Sequence, residues 1–399
     1  MTTPGQGQKI LAACYGAAHV EMLLPLIAPL RKRHRVDIIA INTAADALRR
    51  RGIAFTSVSE LVDRLGWRER VQRWGHKAMA SNVGALTLSQ EESVTYLGMN
   101  LHDLALQQGD EAAWAIYTQQ GRGAFHPVHF ARQVVEHFAP DLVLATSAPR
   151  LERAIVEAAG AASIPSLVLV DQYPAHELQW LKSPGFATRL AVLDGSVQQM
   201  IVDEGRPADD IVVTGNPAFD ALDAIRHVPR AVPPRIVYLS QSEPFAPAGS
   251  PRHEPVNGPV LKALLAAAER HDWVVVYRPH PNEQQMTMQH PRLVTHRSGA
   301  VGLLDSFHGA AAAVTETSTA GIQALLAGIP LVQLGFTRRT RRPPFEQFGS
   351  TQIAASVVDL EPAVCSALAT PSHSPQTSEQ ATANVLHLVE DLMGSSRGQ

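Results

Sequence analysis

The stretch VVVYRPHPNE (274–283) delivers a guanidinium, an imidazole and a carboxamide from the end of an apolar run. Arg278, His280 and Asn282 alternate with Pro279 and Pro281, which stiffen the loop that presents them. A lone histidine in such a place is more often a satisfied polar group than a ligand. Three polar groups held by two prolines are harder to explain by packing, and they suit a phosphate or diphosphate. A second apolar run, AAAVTE (311–316), leads through Glu316, Thr317, Ser318 and Thr319 into a predicted helix at 319–327 that carries Gln323. Backbone N–H groups at a helix start attract anions, although Ser and Thr also cap helices with no ligand present. The carboxylate of Glu316 just before that start favours a ligand role, because it can bind ribose or sugar hydroxyls.

Three further segments follow strand-like runs. YGAAHVE (15–21) makes a tight turn of small residues and sets His19 at a helix start, where a neutral imidazole is favoured. SLVLVD (166–171) is another such run and ends in Asp171. VVTGNPAFD (212–220) brings Gly215 and Asn216 to a strand end and Pro217 to a helix start; Asn216 can cap that helix or bind a substrate. The basic run RRTRRPPFEQFG (338–349) reads as a loop from which an arginine could reach a diphosphate. Neither a P-loop nor a full G-x-G-x-x-G fingerprint is present.

The elements that must position these residues alternate as in a parallel sheet. KILAACY (9–15), a helix at 19–34, VDIIAI (36–41), a helix at 44–51 and IAFTSV (53–58) read β-α-β-α-β. RKRHR (31–35) reads as a solvated cap of the first helix. Residues 59–138 lack strand alternation and read as helical insertions. Strands resume at 141–146, 166–171, 189–194 and 210–215, with helices at 150–161 and 196–205. PRAVPP (229–234) is the linker candidate, after which the alternation restarts at RIVYLS (235–240). The expected fold is α/β: two doubly wound Rossmann-like domains facing a cleft. The expected boundaries are 1–228, 229–234 and 235–375, with a terminal helix and tail at 376–399 that could pack back on the N-terminal domain. In open parallel sheets ligands bind outside the carboxyl ends of the strands, which is where the residues above fall.

Composition bounds the partners. The 399 residues carry a net charge of −3, so no global field draws the chain to nucleic acid or anionic lipid. Cys14 and Cys365 are the only cysteines, too few for a disulfide framework or a thiolate cluster, and a reducing cytoplasm is the simplest setting. No run approaches the roughly 18 apolar residues of a membrane span, so membrane contact is expected to be peripheral at most, at an inner membrane face.

VVTGNPAFD, RPHPNE (278–283) and ETSTAGIQALLAGIP (316–330), with the two-domain alternation, resemble the glycosyltransferase-B (GT-B) superfamily, which includes bacterial nucleotide-sugar transferases and non-hydrolysing UDP-N-acetylglucosamine 2-epimerases. YLSQSE (238–243) opening the second domain is similar to capsule and surface-polysaccharide transferases, and so adds Ser240 and Gln241 to the donor-binding set. The resemblance implies a C-terminal nucleotide-sugar domain using Arg278, His280, Glu316, Ser318 and Thr319, and an N-terminal acceptor domain. It implies a cytoplasmic transferase extending a surface glycan or glycolipid, with His19 or Asp171 activating the acceptor hydroxyl. No Asp-x-Asp pair stands at a strand end, so no bound metal and no obligatory cofactor are expected. The alternatives are a nucleotide-sugar epimerase or hydrolase and a non-catalytic binding or scaffold protein. GFTRRTRRPPFEQFGS (335–350) stands where epimerases have their arginine-threonine-glutamate-arginine-proline loop. YGAAHVE, DLVLATSAPR (141–150) and VDQYPAH (170–176) depart from the epimerases' glycine-threonine-arginine-proline-glutamate, glycine-aspartate-threonine and alanine-glycine-leucine-arginine segments.

Overall fold

The computed structural model describes residues 7–41, 43–81, 89–171, 173–174, 176–241, 256–280, 283, 288–297, 300–337, 343–371 and 380–395. The chain forms two compact units, Met1–Ala218 with Gln380–Gln399, and Phe219–Glu379. It passes from one to the other at Ala218–Phe219 rather than within 229–234. The expected linker is bound along the second unit: Ala231 N–H donates to Gly309 O at 2.9 Å, and Arg230 donates to Leu368 O and Thr370 O at 3.1 and 3.0 Å.

Unit 1 contains β1 (Lys9–Cys14), α1 (Ala17–Arg31), β2 (Arg35–Ala40), α2 (Thr43–Arg50), β3 (Thr56–Ser57), α3 (Val58–Arg64), α4 (Arg68–Ala80), α5 (Gln90–Gln108), α6 (Asp110–Gln120), α7 (Val128–Phe138), β4 (Leu142–Thr146), α8 (Leu151–Ala161), β5 (Ser166–Leu169), α9 (Leu178–Leu181), β6 (Arg189–Val192), α10 (Gly195–Asp203) and β7 (Ile211–Val213). Its parallel sheet has the order β3-β2-β1-β4-β5-β6-β7, which reverses direction between β1 and β4. Every residue of β4 is buried, as an apolar run covered on both faces requires. The expected strand at 53–58 shrinks to two residues because Ser57 and Glu60 form a capping box that starts α3. In the helical block, α4 and α5 approach so closely that a Cβ added at Gly98 would lie 1.8 Å from Val71 O.

Unit 2 contains α11 (Asp223–Arg226), β8 (Arg235–Leu239), α12 (Asn257–His271), β9 (Val274–Arg278), β10 (Leu293–Thr295), α13 (Leu303–Phe307), β11 (Ala310–Thr315), α14 (Ala320–Leu326), β12 (Leu331–Leu334), β13 (Thr351–Ala354) and α15 (Leu360–Ala369). Its parallel sheet runs β10-β9-β8-β11-β12-β13, with the reversal between β8 and β11. The strand β13 and the helix α15 were not anticipated from sequence. β13 buries one residue of four.

The final helix, α16 (Ala381–Ser395), returns to unit 1, where Val385, Val389 and Met393 join the core beneath α1. Arg31, Lys32, Arg33 and Arg35 are exposed, as the reading of 31–35 as a solvated cap expects, and His34 is the exception. Arg33 and His34 bind Glu390 of α16 at 3.0 and 3.1 Å, and the His34 side chain is buried. Among the described residues no helix is long and apolar enough to cross a membrane.

Gly98→Ala forces α4 and α5 apart at a backbone contact. We expect it to cost about 1–3 kcal/mol, read as a lower urea midpoint for unit 1. An unchanged midpoint would show that this contact does not constrain the helical block.

Candidate functional site

In each unit the residues singled out by sequence follow the carboxyl ends of strands; His19 in unit 1 and Ser240, Gln241, Glu316 and Thr317 in unit 2 lie where the strand order reverses, whereas Asp171 follows β5, Asn216 follows the edge strand β7, and Arg278 and His280 follow β9. In unit 1 the reversal joins the ends of β1 and β4. His19, in the first turn of α1, places Nδ1 2.8 Å from the Thr146 hydroxyl at the end of β4. Thr146 donates to Glu152 Oε2 at 2.6 Å, and the Ala148 N–H donates to the same oxygen at 3.1 Å. Glu152 lies in the first turn of α8 with 0% exposure. Burial pushes its carboxyl up to about 8, against the Thr146 hydroxyl and the Ala148 and Tyr15 amides, which favour the ionised form. Burial, then the Glu152 charge, also raises the neighbouring Cys14 thiol.

Around this trio, the Tyr15 and Tyr96 hydroxyls are 3.5 Å apart, and Arg150 stacks over the Tyr15 ring at 5.8 Å. Burial, reinforced by Tyr15, raises the Tyr96 phenol. Arg150 also donates to Arg122 O at 3.0 Å and holds φ at 72°, a conformation L-residues avoid. Asp171 follows β5, its N–H donating to Ser147 Oγ at 3.0 Å, which ties the ends of β4 and β5 together. Burial raises the nearby Glu177 carboxyl, and the charge of Asp171 adds to that rise. At the end of β7, Gly215 has φ 80° and Asn216 Oδ1 accepts from Ala218 N–H at 2.9 Å, so Asn216 acts here as a cap; it belongs to unit 1, whereas the rest of the expected donor-binding set belongs to unit 2.

In unit 2 the organiser is Glu283, the last residue of the RPHPNE motif. Its carboxylate accepts from Tyr277 OH at 2.6 Å, Asn257 Nδ2 at 2.7 Å, the His280 N–H at 3.1 Å and the Ser240 hydroxyl. Burial, then the hydrogen bond to Glu283, raises the Tyr277 phenol. Asn257 also donates to Gln241 O at 2.8 Å and accepts from Tyr238 OH at 2.7 Å. Gln241 reaches across the reversal from β8 to β11: its Oε1 accepts from Thr317 N–H at 2.8 Å and from Thr317 Oγ1 at 3.0 Å. Ser240, Gln241, His280 and Thr317 are thus joined through one network. Glu316 precedes Thr317 at half-buried depth, Ser318 Oγ accepts from Ala320 N–H at 3.3 Å, Thr319 precedes the first turn of α14, and Gln323 lies within that seven-residue helix.

The Arg278 side chain takes part in the local fold. Its Nη1 donates to Val301 O, Gly302 O and Ser306 Oγ at 3.0, 3.1 and 3.0 Å, holding the turn into α13. Burial lowers the guanidinium's proton affinity, opposed by Asp305. Asn282 and the arginine run at 338–342 lie outside the described residues.

The sequence reading passed over Thr146, Arg150, Glu152 and Glu283. For Glu152 a signal existed: it shares the face of α8 with Ile155, Val156 and Ala159, all buried, and a carboxylate on an apolar stripe asks for a reason.

Two parallel doubly wound sheets define the class: an α/β protein with two Rossmann-like domains of the GT-B type. No protein-family model matches the chain, and no curated protein matches it by sequence. Solved structures do match its fold. The S. aureus MnaA–UDP structure aligns at a TM-score of 0.61 with 14% identity, covering 97% of each chain. The Methanocaldococcus jannaschii UDP-GlcNAc 2-epimerase in complex with UDP-GlcNAc and UDP aligns at 0.59 with 13% identity, covering 96% of this chain and 99% of that one. The glycotransferase of kitacinnamycin aligns at 0.53 with 16% identity, covering 98% and 97%.

Two predictions follow from the burial of these groups. Because the fold raises the Glu152 carboxyl, it favours the protonated form; that stability is complete below about 4.5 and is lost as pH rises through about 8. Glu152→Gln cannot ionise, so relative to wild type it should gain on the order of 2–4 kcal/mol between pH 5 and pH 9 in urea unfolding. An equal gap at both pH values would remove Glu152 as a buried titrating group. Arg278→Ala removes one donor from Val301 O, Gly302 O and Ser306 Oγ, the last two of which keep other partners, and should lower the stability of unit 2 by about 1–3 kcal/mol. A native melting temperature would show that water replaces the guanidinium at no cost.

Proposed function

We propose that the chain is an enzyme acting on a nucleotide-linked sugar, with the nucleotide assigned to unit 2, the acid–base work to unit 1, and the reaction being epimerisation at a sugar carbon. The observation that carries this reading is the gathering of polar groups at the reversal point of both sheets, in a fold shared with UDP-GlcNAc 2-epimerases solved with UDP or UDP-GlcNAc. His280, Gln241, Ser318 and Thr319 supply the donors a diphosphate requires, Thr317 holds Gln241 in place, and Glu316 supplies an acceptor for ribose or sugar hydroxyls. Arg278 shapes that site through the turn at 301–306. Inverting a carbon requires a proton to leave one face and return to the other, so two proton-handling groups are needed. His19 after β1 and Asp171 after β5 fill these roles. No metal or cofactor enters the proposal.

One observation favours a second reading. The segments 15–21, 141–150 and 170–176 differ from those of the epimerases, and transfer of the sugar to a glycan or glycolipid acceptor needs only one base, His19 or Asp171.

Incubation with UDP-GlcNAc in D₂O without acceptor separates the readings by proton NMR. We expect an epimer carrying solvent deuterium at the inverted carbon, and we expect His19→Asn to slow its formation at least about 100-fold with UDP affinity within about twofold. A product formed only when a glycan or glycolipid acceptor is added would replace epimerisation by transfer. Binding without turnover in either assay would leave a non-catalytic nucleotide-sugar binder.

A further inference from the structure

The three groups at the β1–β4 reversal form one hydrogen-bonded line: imidazole, hydroxyl, carboxyl. The Thr146 hydroxyl has a single proton, and it lies 2.8 Å from His19 Nδ1 and 2.6 Å from Glu152 Oε2. It can therefore donate to only one of them at a time and must accept from the other. When Glu152 is ionised, Thr146 donates to the carboxylate and accepts from His19 Nδ1–H, which leaves Nε2 as a lone pair. When Glu152 is protonated, the carboxyl donates to Thr146, Thr146 donates to Nδ1, and the ring proton of the neutral imidazole sits on Nε2.

We propose that Glu152 is a positioning residue that acts through Thr146 to set which ring nitrogen of His19 carries the proton, making the line a two-way relay that stores one proton on the buried carboxyl. The balance is complete in both directions. As a base, Nε2 takes a proton from the substrate, Nδ1 passes its proton to the Thr146 oxygen, and Thr146 passes its own to Glu152; one proton has moved and no imidazolium persists. As an acid, Nε2 gives its proton to the substrate and the three transfers run backwards, leaving the charge on Glu152. The relay deepens the reading of His19 as the acid–base residue and rests on it for its use, though not for its existence.

Burial suits the carboxyl to this task, since its affinity for a proton near neutral pH lets it both accept and release one. Other titratable and charged groups line the same edge. Cys14 couples to Glu152, and burial keeps its thiol protonated. Tyr96 is held neutral by burial and forms a separate group with Tyr15, Arg122 and Arg150, while Asp171 and Glu177 interact with each other.

The test is the tautomer of neutral His19 in the full chain, read by long-range ¹⁵N–¹H correlation of ¹⁵N-histidine-labelled protein. The His19 signals are those absent from His19→Asn. In wild type we expect the proton to move from Nε2 to Nδ1 as pH rises through about 8. In Glu152→Gln and in Thr146→Val we expect no pH-dependent exchange between pH 7 and 9.5, while Thr146→Ser restores it. A single tautomer across the range in wild type would overturn the relay, as would a wild-type switch in either Glu152→Gln or Thr146→Val. Thr146→Val leaves the carboxyl in place, so it decides the matter even where Glu152→Gln does not fold. If wild type switches and UDP-GlcNAc leaves the His19 signals unmoved, the relay stands and the substrate reading falls.

Discussion

A strand buried on both faces has room for polar chemistry only where the chain leaves the sheet. β4, β11 and β12 are buried along their whole length, and β1 along all but its first residue. Their apolar runs fix the sheets, and the sheets fix where polar side chains can gather. Where strand order reverses, the loops leaving neighbouring strands diverge and open a crevice. Thr146 and the segment holding His19 meet at that point in unit 1; Gln241 and Thr317 meet at its counterpart in unit 2. The candidate chemistry thus depends first on Val, Leu, Ile and Ala residues that never touch a ligand.

Several polar side chains at these ends are buried, among them Thr146, Glu152 and Ser240, and a buried polar group must be bonded. The two units meet this requirement differently. In unit 2 the Glu283 carboxylate joins four donors from separate segments, the ends of β8 and β9, the start of α12 and the loop at 280. It holds these segments together at the carboxyl edge of the sheet. Arg278 is similarly occupied with the turn at 301–306. In unit 1 the Glu152 carboxyl is fully enclosed with fewer donors, so its charge is opposed by desolvation and its protonation becomes adjustable. Two glutamates of one chemistry act as fastener and as proton store according to how many donors surround each.

The fold was legible in the sequence because continuous apolar runs and helical spacing are local signals. The strands and helices around His19, Asn216, Arg278 and Glu316 stand within a few residues of their sequence-based positions. The exceptions are also physical: Ser57 and Glu60 start a helix inside an expected strand, and β13 buries too little to show an apolar run. Site residues were legible where a motif concentrated them, as in RPHPNE, yet the direction each side chain takes was not. Arg278 turns to carbonyls more than twenty positions away, and nothing in the local sequence marks Val301 and Gly302 as its partners. The place of Glu152 on an apolar helical face was visible, but its role was not, since that comes from Thr146 and from His19, 127 positions from Thr146 in the chain.

The backbone at Arg150 links these arguments. Only six positions separate Thr146 from Glu152, and the chain must leave β4, turn and begin α8 within them. Arg150 holds φ 72° and ψ −117° immediately before the helix, a conformation costing about 1–3 kcal/mol for a residue with a side chain. The turn brings the first turn of α8 back under the strand end, so that the carboxyl at 152 meets the hydroxyl at 146 and the amide of Ala148. The Arg150 side chain offsets part of that strain through its bond to Arg122 O and its stacking on Tyr15. A glycine at this position would relieve the strain and lose both contacts. The arginine therefore ties the strained turn to the tyrosine pair beside His19, and the carboxyl, the hydroxyl and the imidazole are held in one line by backbone geometry as much as by their own hydrogen bonds.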